Sequence, residues 1–299
     1  MKEKREKPQA FYEGLLLVTT IAWSLSFIWS KVATNAGLTP ELYLFFRYTL
    51  AALLLLPFAG KKLRYITKAE LKTGFIMGCI FYAGMIFQTA GLAMTTPSNS
   101  SFITTSYVVL VPFAAWVMMK KKPDKITYAA VLIAMAGIYI LNMSPGETIA
   151  FNLGNVLTLI GAVWWAVQVP YTSIAGGRVE PLKLSFMTFA FTGLGGLIMS
   201  LVKGSLFAVT GTQIRGAVLA VLLSALFPTI LGNLVQVYAQ PKVDPSKAAV
   251  IYTMEGVLAT IISIMLGMEE WSISVLAGGA LILAAVLVIQ FGGKKNAGQ

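Results

Sequence analysis

The sequence contains ten apolar stretches, each about as long as a helix that crosses a bilayer. In hydrocarbon only helices and closed barrels satisfy every backbone hydrogen bond, and continuously apolar stretches are typical of helices. Proline, glycine or charged residues interrupt the stretches. We therefore predict an all-α integral membrane protein with transmembrane helices over residues 13–34, 41–59, 72–93, 98–119, 126–143, 152–174, 183–202, 216–238, 246–267 and 272–291.

Composition narrows the class of protein further. The chain is 57% hydrophobic and 12% charged, whereas soluble domains carry about 25% charged residues. It has no histidine, and its one cysteine, Cys79, lies in an apolar stretch. We therefore expect no disulfide, no metal centre and no cofactor. The sequence has no P-loop, so direct ATP-driven transport is not expected. An intramembrane enzyme would need a reactive pair such as two aspartates, but Asp124 and Asp244 fall in predicted loops.

The net charge of +11 does not indicate nucleic-acid binding, because the basic residues cluster at the ends of the apolar stretches. Most of the 23 lysines and arginines fall on one side of the predicted membrane. The exceptions are Lys31, Lys203 and Arg215 on the other side, and Arg47 within the second helix. The positive-inside rule then predicts a multi-pass protein of a bacterial-type cytoplasmic (inner) membrane, with both termini cytoplasmic. Its expected partners are the lipid bilayer and a small-molecule substrate, and we expect a monomer or a homodimer.

The two halves of the chain resemble each other. Residues 97–105 and 245–253 share four of nine residues, and helices 1 and 2 show weaker matches to helices 6 and 7 in the same order. Five helices per half is an odd number, so the halves must have opposite topology. We predict two inverted five-helix repeats, residues 1–145 and 146–299, around a central cavity. Such repeats alternate access to a site near mid-membrane.

Several segments resemble the EamA family of the drug/metabolite transporter superfamily. They are residues 91–103 continuing to 111–113, residues 253–259, Glu269 with Trp271-Ser272, and Phe46-Arg47. Gly256 stands where the family usually has proline. The resemblance implies a cavity lined by helices 1–4 and 6–9, with helices 5 and 10 peripheral. Members of the family move amino acids, nucleotide precursors, sugars, choline and drugs, so the resemblance does not identify the substrate.

Glu255 is the strongest candidate for a functional residue. It falls near the middle of the ninth helix, where an ionisable side chain is costly and therefore indicates function. It could pair with a substrate ammonium or carry a coupling proton. The structural alternative is a protonated glutamic acid that bonds a neighbouring helix. Its counterpart in the first half is Tyr107, so the halves differ at this position.

Aromatic and amide side chains on the matching faces could complete a substrate site. Trp164 is an alternative to Trp165, and any single aromatic residue could instead pack against lipid. The predicted substrate-binding residues are Trp23, Tyr82, Gln88, Tyr107, Trp165, Gln168, Tyr252 and Glu255. Arg47 could snorkel, pair with a carboxylate or hold a substrate carboxylate, and we favour a structural role for it. Lys31, near the outer end of helix 1, is expected to gate or snorkel.

Together these features predict a secondary transporter that moves a small metabolite, amino acid or amine-like, by alternating access. Proton coupling is expected if Glu255 titrates, and export is the more frequent direction in the family. An alternative is an importer of a quaternary ammonium such as choline, bound in an aromatic cage. A scaffold or sensor would have no mid-membrane polar residues facing a common cavity.

Overall fold

The computed structural model describes residues 7–120, 122–141, 153–271 and 273–292. Within these ranges the chain is helical and contains no strand. The helices are α1 (Gln9–Asn35), α2 (Pro40–Leu63), α3 (Lys68–Ala93), α4 (Pro97–Thr105), α5 (Val111–Met119), α6 (Lys125–Leu141), α7 (Leu153–Gly176), α8 (Pro181–Val202), α9 (Ser205–Ala208), α10 (Gly211–Ser224), α11 (Asn233–Ala239), α12 (Pro245–Tyr252), α13 (Met254–Met265) and α14 (Ile273–Gly292).

In the described part of the chain, seven helical segments are long and apolar enough to cross a membrane. An eighth is added if the bent pair α4 and α5 forms one span. The apolar helices at Lys125–Ile140 and Ala277–Val288 are shorter. Each of the ten predicted segments therefore coincides with an apolar helix or a broken helix, whereas the number of spans stays a prediction.

The helix starts follow directly from local sequence. Proline occupies the first position of α2, α4, α8 and α12, where its missing N–H has no intrahelical partner to lose. At α3, Thr67 and Glu70 form a reciprocal capping box. At α12, Asp244 Oδ1 accepts a hydrogen bond from Ser246 N at 2.9 Å. These caps place the helix ends at the polar breaks in the sequence.

The predicted continuous helix over 98–119 is wrong in detail. A 3₁₀ turn at Ser106–Val109 separates α4 from α5, and the two axes differ by 42°. Pro112 cannot donate to the carbonyl of Val108, and its ring crowds that group. The hydroxyls of Thr105 and Ser106 also donate to backbone carbonyls three residues earlier, at 3.0 and 2.6 Å, which favours bending.

The ninth predicted helix is broken at a corresponding place. Helix α12 ends at Tyr252 and α13 begins at Met254. Thr253 Oγ1 donates to Val250 O at 2.6 Å, as the hydroxyl of Thr105 does to Phe102 O in α4. The break therefore forms without the proline that the family usually has at position 256.

The eighth predicted helix also departs from regular geometry. Helices α10 and α11 are continuous through a π-helical segment, Ala225–Gly232, that contains Pro228. A π-helical segment widens the turn and changes which side chains face a neighbouring helix. Here it presents Pro228 and Thr229 toward α2.

Packing relates the two halves in pairs. Helix α2 packs against α8, and α6 packs mainly against α14. Helix α3 packs along α7, while α1 packs along α10, the π-helical segment and α11. Glycine permits the closest approach: a Cβ on Gly196 of α8 would lie 2.6 Å from Phe45 N of α2. The centre of this arrangement is where the two halves meet.

Charged side chains form two layers at opposite ends of the helices. At the lysine-rich end Lys62 pairs with Glu180. At the same end Lys183 Nζ lies 3.0 Å from Glu70 Oε1. At the other end, Lys203 Nζ lies 3.3 Å from Glu41 Oε2. The structure thus brings the predicted loops of each side together.

Candidate functional site

A cavity lies between the two halves of the chain. Its wall comes from α1, α2, α3, α4, the 3₁₀ turn, α7, the π-helical segment and α13; helices α6, α8 and α14 contribute none of the lining residues. The lining residues are Trp23, Ser26, Arg47, Tyr48, Phe81, Met85, Gln88, Thr104, Tyr107, Trp165, Gln168, Val169, Pro228 and Glu255.

Six of the eight predicted substrate-binding residues line this cavity, and two do not. The six are Trp23, Gln88, Tyr107, Trp165, Gln168 and Glu255. Between the two tryptophans considered, Trp165 lines the cavity, whereas Trp164 does not and is 37% exposed. Tyr82 and Tyr252 lie behind the cavity wall.

Glu255 is buried in the first turn of α13 and has 6% of its surface exposed. Its side chain makes no hydrogen bond or ion pair with any residue that the structure describes. The phenols of Tyr107 and Tyr252 lie close enough to interact with it electrostatically. A buried carboxylate without a donor is costly. The carboxyl group therefore needs a proton or a cationic ligand.

Aromatic residues form another part of the cavity wall. Trp165 Nε1 donates to Gln88 Oε1 at 2.6 Å, and its ring packs edge-on against Phe81 at 5.1 Å between centroids. Trp23 stacks on Tyr252 at 5.1 Å. These contacts fix two indole rings at the cavity surface. Fixed aromatic faces suit an apolar or aromatic part of a ligand as well as a cation.

Tyr252 and Tyr82 have supporting positions. Tyr252 is fully buried, and its hydroxyl donates to Gln240 Oε1 at 2.8 Å. It backs Trp23 rather than facing the cavity. The Tyr82 hydroxyl is buried without a partner among the described residues, and its ring lies against Gly195 of α8.

A buried network of amides closes the cavity toward the lysine-rich end. Gln168 Nε2 donates to Gln236 Oε1 at 3.2 Å and to Thr172 Oγ1 at 2.8 Å. Gln236 Nε2 donates to Gln240 Oε1 at 2.8 Å. Gln240 Nε2 in turn donates to the carbonyl of Val169. The network joins α7, α11 and the 3₁₀ turn at Gln240–Lys242, and opening this end requires those bonds to break.

Arg47 lines the cavity, although it was not among the predicted substrate-binding residues. It is 2% exposed, and its Nε donates to Thr229 Oγ1 at 2.7 Å. Its Nη1 donates to Ser26 Oγ at 2.8 Å and to the Tyr43 hydroxyl at 3.3 Å. The guanidinium also lies 5.1 Å from the centre of the Tyr48 ring. The sequence signal that it could be functional was its intramembrane position, nearer the outer end of the second helix.

Other polar groups complete the site and its outer end. Thr104 Oγ1 is buried at the cavity wall and has no partner in the described part of the chain. Lys31 Nζ bonds the carbonyls of Leu92, Ala93 and Thr95, the last at 2.7 Å, and so caps the end of α3. Among the described residues, no group of three or more histidine, cysteine, aspartate or glutamate residues could hold a metal ion.

Apolar helices around a central cavity are typical of membrane transport proteins. Comparison with known proteins identifies the family of this chain. The model of the EamA-like transporter family matches residues 10–143 and again residues 152–291. The chain belongs to this family.

Relatives agree with that assignment, and a solved structure shares the fold. An uncharacterized transporter of Archaeoglobus fulgidus is 32% identical over 92% of this chain and 84% of its own length. The uncharacterized inner membrane transporter YedA of Escherichia coli K12 is 27% identical over 92% of this chain and 89% of its own. A crystal structure with a TM-score of 0.72 and 16% identity covers 94% of this chain and 98% of that one. That likeness shows the shared fold.

Proposed function

We propose that this protein is a secondary transporter that moves a small metabolite, amino acid or amine-like, across the cytoplasmic membrane by alternating access. The main observation that supports this proposal is the cavity between the two halves of the chain. Both halves line it, and a buried glutamate, a buried arginine and two indole rings share its wall. A scaffold or sensor has no use for costly ionisable groups around a common cavity.

Our proposal includes ten membrane segments arranged as two inverted repeats, residues 1–145 and 146–299. Three features support it. The family model matches twice, once in each half. Helices α4 and α12 end at corresponding places in the matched segments, at Thr105 and Tyr252. Helix pairs also correspond: the packing of α3 on α7 has its counterpart in α1 on α10 and α11.

The distribution of charge supports an orientation with both termini cytoplasmic. The lysine-rich ends of the helices gather at one end of the molecule, whereas Lys203 and Arg215 lie toward the other. The positive-inside rule assigns the lysine-rich end to the cytoplasm. In this orientation the amide network from Gln168 to Gln240 closes the cytoplasmic side of the cavity.

We propose that Glu255 carries the coupling charge. It faces the cavity without a hydrogen-bond donor, so either a proton or a substrate ammonium can compensate its charge. The groups around it are the neutral phenols of Tyr107 and Tyr252, with Arg47 on the same cavity wall. Exchange of a proton for substrate at this carboxyl would drive export, the direction we propose.

Import of a quaternary ammonium is the second candidate. Trp23, Tyr107 and Trp165 line the cavity together with Glu255, as an aromatic cage would require. The other two predicted substrate-binding aromatic residues, Tyr82 and Tyr252, do not line the cavity. Arg47 also shares the cavity, and a fixed positive charge repels a cation. The geometry therefore supports an amino acid better than choline.

Counterflow in proteoliposomes tests the proposal. Purified protein is reconstituted, and uptake of labelled amino acids and labelled choline is measured at two internal pH values. We expect an amino acid to exchange, with a rate that changes with internal pH. Exchange of choline alone would support the importer, and absence of exchange by every solute would contradict the proposed function.

A further inference from the structure

Arg47 is a buried cation that lacks a counter-ion. The ion pairs of the described residues are Lys62–Glu180, Lys183–Glu70 and Lys203–Glu41, so none includes it. Its hydrogen-bond acceptors are the hydroxyls of Thr229, Ser26 and Tyr43. Neutral acceptors and aromatic rings hold the guanidinium in place but leave its charge uncompensated. A positive charge buried in this way requires an anion from elsewhere.

The guanidinium is also only partly used as a hydrogen-bond donor. Arginine has five N–H groups in a planar fork. In Arg47 the Nε and Nη1 atoms donate to protein groups, whereas Nη2 makes no hydrogen bond with any described residue. One edge is thus fixed by the protein, and Nη2 is an unused donor on a residue that lines the cavity. A fixed guanidinium with unused donors is suited to bind a carboxylate.

Glu255 supplies the opposite charge in the same cavity. It too has no ion-pair partner among the residues that the structure describes. When Glu255 is ionised, the cavity therefore carries one positive and one negative group, and no ion pair of the described residues includes either of them. A ligand that compensates both groups has one carboxylate and one ammonium. A phosphate monoester would carry more negative charge than the single Arg47 balances.

We propose that Arg47 is a specificity-determining residue that binds the carboxylate of a zwitterionic amino acid, while Glu255 binds its ammonium group. The inference rests on the proposed transport function and narrows its substrate class. The indole rings of Trp23 and Trp165 then accept an apolar or aromatic side chain. A carboxylate becomes a requirement for binding, so amines and quaternary cations are excluded.

Matched ligands test this inference in the wild-type protein. Labelled phenylalanine and leucine are exchanged in proteoliposomes, in competition with their carboxamides, with phenethylamine and with 3-phenylpropionate. We expect the amino acids to compete at least about tenfold better than the carboxamides or the amine, because these lack the group that Arg47 binds. Equal competition by the carboxamide would overturn the role of Arg47 while leaving transport intact. If no solute exchanges, the proposed function itself has failed.

Substitution then assigns the discrimination to one residue. In Arg47→Gln, we expect the ratio of competition by the amino acid to competition by its carboxamide to fall to about one. Arg47→Lys retains the charge but not the planar fork of donors, so we expect it to give an intermediate ratio. Arg215→Gln is the matched control, because Arg215 is exposed at the end of α10 and outside the cavity. Unchanged discrimination in a folded Arg47→Gln protein would overturn the proposal. If that variant does not fold, Arg47→Lys provides the test, and an unchanged preference for the amino acid over its carboxamide in that variant would overturn the proposal.

Discussion

The two charged regions of the cavity wall differ in how the protein supports them. Arg47 donates to Thr229, Ser26 and Tyr43 and lies between aromatic rings. Glu255 accepts no hydrogen bond from any residue in the described ranges. The cation is therefore fixed before a ligand arrives, whereas the carboxyl depends on what enters the cavity. This difference assigns recognition to the Arg47 wall and coupling to the Glu255 wall.

The same comparison separates the two halves of the chain. In the alignment of the two repeats, Tyr107 corresponds to Glu255. The alignment of the second helix with the seventh makes Thr188 the counterpart of Arg47. Thr188 is fully buried and donates to Leu184 O at 2.8 Å. Each half thus contributes one charge, and its counterpart in the other half is an uncharged hydroxyl. Two similar scaffolds hold an asymmetric site, as a ligand with two different ends requires.

Removal of the unsupported charge is expected to have the largest effect. Glu255→Gln keeps the size of the side chain but removes the charge-assisted hydrogen bond to a substrate ammonium, worth about 1.5–3 kcal/mol. We expect the apparent KM of the amino acid to rise about 10- to 100-fold and the dependence on internal pH to disappear. Counterflow at two internal pH values measures both effects.

Glu270→Gln provides the control for that experiment, because Glu270 is exposed beyond the end of α13 and does not line the cavity. It should leave KM and the pH dependence unchanged. Size-exclusion profiles and thermal unfolding in detergent establish that each variant is folded. If Glu255→Gln shows wild-type flux across a pH gradient, this carboxyl is not part of the transport mechanism. The proposed difference in role between Arg47 and Glu255 would then be wrong.

Sequence patterns predicted the apolar segments well because membrane-crossing helices impose their length directly on composition. They also predicted Glu255 as a site residue, and it lines the cavity. They did not predict the break at Ser106–Val109 or the π-helical segment at Ala225–Gly232. The break follows the hydroxyls of Thr105 and Ser106, which donate to backbone carbonyls, and the π-helical segment contains Pro228. An average over 20 residues conceals such local features.

The site was harder to predict than the helices because helical periodicity alone does not determine which face of a helix lines the cavity. Tyr252 shares a face with Glu255, yet the break at Thr253 turns its ring away from the cavity and against Trp23. Arg47 has a helix end within reach, so snorkelling was a reasonable interpretation of the sequence. Its tertiary acceptor, Thr229, lies 182 residues away along the chain. A pattern within one helix cannot reveal such a partner.

The Arg47 wall also depends on a close helix contact, and Gly196→Ala tests it. The added Cβ would lie 2.6 Å from Phe45 N and 2.9 Å from Glu41 O, both backbone atoms of α2. Overpacking of this kind costs about 1–3 kcal/mol. We expect thermal unfolding in detergent to occur about 3–8 °C lower.

Gly60→Ala, elsewhere on α2, is the matched control, since no atom lies within 4 Å of the added Cβ. Alanine is the better helix former, so its unfolding temperature should stay the same or rise slightly. Equal unfolding temperatures for Gly196→Ala and Gly60→Ala would show that α8 does not constrain the helix that carries Arg47.

The smallest expected effect comes from loosening Arg47 without removing it. Thr229→Val preserves the shape of the side chain but deletes the oxygen that accepts from Nε at 2.7 Å, while the bonds to Ser26 and Tyr43 remain. The guanidinium stays charged but loses one of its fixed directions, so we expect KM for the amino acid to rise about two- to fivefold. Thr229→Ser restores the hydroxyl and should restore KM. Because the loss is in positioning, the carboxamide should be unaffected by Thr229→Val. An equal rise for amino acid and carboxamide would show that the hydroxyl shapes the cavity in general and does not direct Arg47 toward a carboxylate.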